Sequence, residues 1–320
     1  MAAISAAELL ELFELLQEFG EEHLILERAL IRDVRFNLNS YSNANMLLDF
    51  RFDVNTIVCL TSLFAFPDVL TTEEGDRWGN HEALCITLNH LAYPKRLHDM
   101  VATFGRSTSA MSRIFLYMGL RYDTKIYFDR SNIALRMDQY CAAIARKTPV
   151  GTIFAFPDGT KINICRPSLR ADEEAGENLQ NQCYSGHKRV HCLNFQGKHH
   201  DASILRESKL LLYFEAHSDI FGGRTIDGDP ANGISKFVVS EYKGASVSSA
   251  EQEFNSRMSK VKTTIEWNFG LMKTLWAFID FKKNQKVRLS PVGSIVKVAI
   301  YLQTVIAAQT AATKLVTFSK

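Results

Sequence analysis

Apolar residues recur at helical spacing through most of this chain and alternate at strand spacing only in short pieces. Leu9, Leu12, Phe13, Leu16 and Phe19 share one helical face behind a capping box formed by Ser5 and Glu8, and Glu11, Glu14 and Glu18 occupy the other face. Residues 37–45 are polar and predict a loop. From Glu82, the spacing of Leu84, Leu88, Leu91 and Ala92 makes one face of a helix that Tyr93 and Pro94 end. A second helix is expected over 95–104, closed by Gly105 as a left-handed cap. A third starts at 106–108, with Ser107 or Thr108 as cap, and runs through Met118. Helix, short glycine turn and capped helix is the layout of a helix-turn-helix, here over 95–118. Two readings stay open. One is a structural bundle; the other is a DNA reader in which Ser109, Ser112 and Arg113 face the groove while Arg106 and Lys95 meet phosphates.

Residues 147–150 mark a boundary. Beyond them, 152–164 predict a first strand carrying Asp158, 168–181 an exposed loop, 190–195 a second strand, and 221–226 a short strand leading to Asp229. Asp201 is positioned to cap a helix running to Tyr213. A long helix over 248–275 has Phe254, Met258, Val261, Ile265 and Met272 as its buried stripe. Glu266, one residue or about 100° beyond Ile265, sits at the edge of that stripe. Strands first, then helix–strand–helix, predict an α/β fold: an RNase H-like mixed sheet with flanking helices, preceded by an all-α region containing the helix-turn-helix. The chain divides into an acidic N-terminal helix and loop (1–50), a helical region (51–148) and the α/β domain (149–320).

A length of 320 residues allows one large or two modest cores. The net charge of +2 hides a gradient: residues 1–50 carry nine Asp and Glu against three Arg, and residues 251–320 carry eleven Lys and Arg against four Asp and Glu. A basic C-terminal segment suits a polyanionic substrate, and a solvated helix surface explains the same charges. Six cysteines lack paired spacing, and four glutamates in the first twenty residues argue against a signal peptide. Free thiols in a reducing compartment are expected. The apolar stretch 292–312 is interrupted by Lys297, Gln303 and Gln309, which predicts a packed amphipathic helix and no membrane span.

Three carboxylates lie in separate predicted elements, as the oxygen ligands of a hard divalent cation would. They are Asp158 in FPDGT, Asp229 in DGDP and Glu266 in IEWNFG. Singly, each has a plainer role. Asp158 and Asp229 stand beside Gly or Pro and suit turns, and Glu266 can pair with Lys262 one helical turn earlier. The surrounding words add more: FPDGTKINICR (156–166), YSGHKRVHCLNFQ (184–196), HDASIL (200–205), GDPA (228–231), FNSRMSKVKTTIEWNFG (254–270) and a run from Asp280 closing on LSPVG (289–293). In this order, over roughly the C-terminal half, they resemble the Harbinger family of DDE transposases and the nucleases domesticated from them. Weaker similarity reaches back to about Thr72, and FGRS at 104–107 is similar to the end of the family's helical segment.

The resemblance implies a transposon-derived DNA endonuclease in which Asp158, Asp229 and Glu266 hold two Mg²⁺ ions, or Mn²⁺, for phosphodiester cleavage. Glu266 follows Asp229 by 37 positions, the spacing typical of the superfamily. Asp227 is an alternative ligand on the same strand face. His187, Lys188, Arg189 and His191 around the second strand, and the basic run Lys282, Lys283, Lys286 and Arg288, suit the phosphates of DNA. The resemblance further implies a nuclear location, with the cytoplasm also open, and a partner protein that helps recognise the DNA target.

Two decoys and one departure complete the picture. Cys183, His187, His191 and Cys192 are zinc-ligand types at a spacing that fits no standard finger. His200 and Asp201 mimic a catalytic dyad, but Asp201 is better placed as a helix cap. Relatives carry a turn and a third strand between the counterparts of Gln196 and His200, where this chain has only Gly197, Lys198 and His199. Three residues span about 10 Å, against about 20 Å for the strand they would have to retrace. The shortened link points to a degenerate copy or a misplaced exon boundary, and it leaves an edge on the second strand. It also keeps a second reading in view, a catalytically inactive relic that binds DNA or protein.

Overall fold

The computed structural model describes residues 31–123, 130–157, 159–168, 178–195, 209–228, 235–244 and 246–318. It opens on a short 3-10 turn, Leu38–Ser40, followed by helices α1 (Asn43–Phe50) and α2 (Val54–Leu63). The polar run expected as a loop serves instead as caps. The Asn37 side chain accepts from Asn39 N, Ser42 from Asn45 N, and Asp53 from Thr56 N. A two-strand hairpin follows, β1 (Val69–Thr71) against β2 (Arg77–Gly79), and leads into α3 (Asn80–Ala92), α4 (Leu97–Phe104) and α5 (Thr108–Asp123).

The α4–α5 corner forms as its sequence predicts. Ser107 Oγ accepts from Ala110 N at 3.2 Å, and Gly105 adopts φ +59°. A Cβ on Gly105 would lie 2.0 Å from the Val34 carbonyl oxygen, so both backbone conformation and space call for glycine there.

After α6 (Arg130–Ala145) come two small sheets. The expected first strand is divided into β3 (Ile153–Ala155) and β4 (Thr160–Asn163), interrupted around Pro157 and Gly159. Pro157 has no N–H to give a ladder, so the break falls where pairing is weakest. β3 pairs in parallel with β7 (Thr225–Asp227), which pairs in parallel with β8 (Val238–Val239). β4 pairs antiparallel with β6 (Val190–Phe195), which also carries the two-residue β5 (Tyr184–Ser185). Residues 196–208, including the Asp201 cap and the shortened link, lie outside the described residues. Described helices near them are α7 (Leu179–Cys183), α8 (Leu210–Ala216) and α9 (Ser218–Phe221), which takes up the start of the segment expected as a strand. α10 (Ser249–Leu275) has the expected length, with Ser248 and Glu251 as a reciprocal capping box. α11 (Ala277–Asp280) and α12 (Val292–Phe318) are the last described helices. All six cysteines are free thiols.

Among the described residues, two cores hold these elements. The smaller packs Met137 and Cys141 of α6 against Phe214, Phe221, Ile226, Phe237 and Val238. The larger runs through α1 to α5 and continues into Met272, Trp276, Phe278, Ile279 and the first half of α12. Val292–Gln309 is apolar and long enough to cross a membrane by composition, and Ile295, Val296, Ala299 and Leu302 within it are buried in this core. His90 is buried edge-on to Phe115 and tilted against Phe278, at 4.7 Å between ring centres in each case.

Burial pushes the His90 pKa down to about 4 from an ordinary value near 6.5. Below pH 6.5 the unfolded chain takes up a proton that the folded chain refuses until about pH 4. Stability therefore falls as pH drops through that window, by about 2 kcal/mol at pH 5. Urea midpoints measured from pH 7 to 4 should decline for the wild type and decline less for His90→Leu. Gly105→Ala should cost at least about 1 kcal/mol, read as a lowered thermal midpoint.

Candidate functional site

β3 and β7 are parallel neighbours, with Ile153 opposite Thr225 and Ala155 opposite Ile226, so both leave the sheet at the same end. Thr225 N donates to Thr152 O at 2.9 Å, and the two threonine hydroxyls meet at 3.0 Å. Along β7, Ile226 joins the smaller core while Asp227 meets α10, the alternation of a strand. The Asp227 side chain is only 3% exposed, and its Oδ2 lies 3.1 Å from Lys262 Nζ. The same ammonium is 3.4 Å from Glu241 Oε1 and donates to the Gly228 carbonyl, also at 3.4 Å. Burial disfavours a charged lysine, but Asp227 and Glu241 outweigh it and hold the Lys262 pKa above its ordinary value. Gly228 N donates to Val239 O at 2.7 Å, so the residue before Asp229 is fixed through both backbone groups.

Farther along α10, Lys273 Nζ donates to the Lys161 carbonyl in β4 at 2.9 Å. The helix therefore runs from the end of β7 to β4, over about 16 Å of axis between these lysines. Glu266 lies between the two anchors. At 100° per residue, Lys262, Glu266 and Lys273 project within about 40° of one another. Glu266 thus sits on the face of α10 that is turned to the strands, and its side chain remains exposed. The expected pairing of Lys262 with Glu266 gives way to partners distant in sequence.

Asp158 and Asp229 follow Ala155 and Asp227 by three and two positions and lie outside the described residues. Among the described residues, which omit both, no three His, Cys, Asp or Glu side chains are grouped to hold a metal ion.

The other candidate residues differ in availability. Arg106 makes a two-point contact with Glu82 at 2.9 Å and lies over the Trp78 ring at 4.7 Å. Arg113 does the same with Asp76 at 2.6 and 3.0 Å, which holds the Asp76 carboxyl below its ordinary range. Both carboxylates come from the β1–β2 hairpin and the start of α3. Ser109 is exposed and Ser112 half-buried. His187, Lys188 and Arg189 are exposed in the β5–β6 turn, where Arg189 takes φ +54°. Lys282, Lys283 and Lys286 are exposed and Arg288 is half-buried. Of the zinc-like set, Cys183 and Cys192 are buried. Sequence reading missed Glu241, Lys273 and Tyr184. Glu241 follows a two-residue strand, Lys273 lies just past the run FNSRMSKVKTTIEWNFG, and Tyr184 opens the word YSGHKRVHCLNFQ but precedes the strand expected over 190–195, so no periodic signal marks them.

Residues 194–303 match the family model described as DDE superfamily endonuclease. The match supports a relationship to the DDE transposase superfamily; it runs from the end of β6 into α12 over about a third of the chain, includes Lys262 and Glu266, and begins after Asp158. No curated protein and no solved structure gives a significant match.

Lys262→Met would leave Asp227 buried without its cation. The expected loss is roughly 2–3 kcal/mol in chemical denaturation, moderated because Lys262 keeps 27% of its side chain exposed. Lys262→Arg should retain most of the stability.

Proposed function

We propose that this chain is a transposase-derived, metal-dependent DNA endonuclease of the Harbinger type, with an RNase H-like sheet. Asp158, Asp229 and Glu266 would hold its divalent cations. The observation that carries the reading is the path of α10. Its two lysine anchors bracket Glu266 between Gly228, next to Asp229, and Lys161, three positions past Asp158. The pairing of β3 with β7 in parallel and β4 with β6 antiparallel supports the same fold.

Glu266 fits a hard-cation role: it is an exposed carboxylate that forms no ion pair among the described residues. Bound Mg²⁺ or Mn²⁺ would supply an activated nucleophile and neutralise the leaving oxygen. The protein's own part is positioning. Lys262 holds the β7 end and occupies Asp227, which favours Asp229 over Asp227 as the ligand. Lys282, Lys283, Lys286, Arg288 and the turn at His187, Lys188 and Arg189 would meet phosphates. Arg106 and Arg113 would have to exchange a carboxylate partner for a phosphate, so the helix-turn-helix reading depends on that exchange. A nuclear setting and a target-recognition partner belong to the same proposal.

Purified protein should nick supercoiled plasmid with Mg²⁺ or Mn²⁺ and not with EDTA. Asp158→Ala, Asp229→Ala and Glu266→Ala should each lower the rate at least about 100-fold. Full activity in all three folded variants would remove the mechanism. DNA binding without cleavage by the wild type would favour a catalytically inactive relic, a reading motivated by the shortened link at 197–199.

A further inference from the structure

On the β5–β6 side of the antiparallel sheet, backbone contacts bring three cation-bearing segments together beside the strand pair that carries one exposed aromatic ring. Tyr184 pairs directly across from His191, their rings 5.2 Å apart and inclined at 57°, and 48% of Tyr184 remains exposed. Ile164 N donates to His191 O at 3.0 Å, which fixes the chain just after β4 beside the same residue. Cys165 N then donates to Gln285 O at 2.9 Å, and Cys165 Sγ contacts the carbonyls of Lys282 and Lys283 at 3.3 and 3.5 Å. Arg166 is held through Nε and Nη2 on Gln180 Oε1 at 3.1 and 3.0 Å, and Gln180 is itself tied to Pro167 O at 2.7 Å.

The cations of these segments are therefore mounted on a backbone braced to the strand pair that carries Tyr184. Arg166, Lys188, Arg189, Lys282 and Lys283 are exposed, and none forms an ion pair among the described residues. Partial burial, followed by the nearby Arg166 and Lys282 charges, lowers the His191 pKa, in keeping with a shared positive field.

We infer that Tyr184, flanked by Arg166 and Lys282, is a docking site for an unpaired nucleotide of a DNA strand. The ring offers a π-face to a base of any identity, and the flanking cations take the phosphates on either side. A duplex shields its bases within the stack, so a blunt duplex can use only the cationic part of this surface. The inference rests on the DNA reading above, but concerns binding and needs no metal.

Fluorescence anisotropy in EDTA, with labelled duplex carrying a single-stranded overhang and with the matching blunt duplex, separates it from catalysis. Tyr184→Ala should weaken overhang binding by about tenfold and leave the blunt duplex nearly unchanged, while Tyr184→Phe should bind like the wild type. Arg166→Ala and Lys282→Ala should each weaken both complexes and reduce the dependence of log affinity on log salt by about one. Lys282→Glu, on the exposed 3-10 turn Lys282–Asn284 outside the β5–β6 hairpin, probes the surface should Tyr184→Ala disturb β5, and should weaken overhang binding at least as much as Lys282→Ala. Overhang affinity within twofold of wild type in folded Tyr184→Ala or in Lys282→Glu, or equal losses on both DNAs in Tyr184→Ala, would overturn the inference. None of these outcomes depends on whether Glu266 serves in cleavage.

Discussion

Lys262 reaches from the middle of α10 to Asp227, Glu241 and the carbonyl of Gly228, and a helix of 27 residues held at that point has few ways left to lie. A carboxylate as buried as Asp227 would cost several kcal/mol without a partner, so the ammonium is needed there for folding alone. Because Asp227 ends β7 and Glu241 closely follows β8, one side chain joins the helix to two strands. Lys273, bonded to Lys161 O, adds a second point of attachment. One anchor sets where the helix sits along its axis. Two anchors on the same face also set its rotation, and the direction in which Glu266 projects follows from both.

Past this contact the helix ends in the larger core. Trp276 takes a non-helical conformation between α10 and α11 and is fully buried against Phe52. Phe278 then packs on His90 and Phe115, and α12 returns through the bundle. Its Gln303 donates to Asn268 of α10 at 3.2 Å, and its Gln309 to Thr56 of α2 at 2.7 Å. Helices from both ends of the described chain thus close one hydrophobic core. A disturbance at Phe52 or His90 is transmitted to the C-terminal end of the helix that carries Glu266, because Trp276 and Phe278 are shared by both.

What could be read in the sequence was chiefly what neighbouring residues decide. The Gly105 cap and the Ser107 cap, the latter one of two positions the sequence offered, are local hydrogen-bond chemistry, and each stands where its spacing placed it; the box of Ser248 and Glu251 is chemistry of the same local kind at the start of the long helix. The β1–β2 hairpin was not legible, since three-residue strands leave no periodicity and Trp78 is buried through Arg106 and the bundle, far along the chain. The same holds for β8 and for the division of 152–164, where one alternating run serves two different partner strands. At the candidate site, sequence spacing offered Lys262 the nearest carboxylate four residues away. The fold supplies two carboxylates from other elements.

That choice of partners bears on the chemistry proposed for the site. A lysine one turn before Glu266, and committed to it, would hold the carboxylate on the helix surface and neutralise it. At about 6 Å the attraction amounts to roughly 1–3 kcal/mol in the dielectric of a protein surface, enough to compete with a weakly held ligand. Asp227 and Glu241 draw the ammonium toward the sheet at 3.1 and 3.4 Å, and Glu266 is left exposed on the strand-facing side of α10. Asp227 is thereby committed to the fold, and in the proposed site Asp229, two positions on in sequence, is the one left to serve a cation.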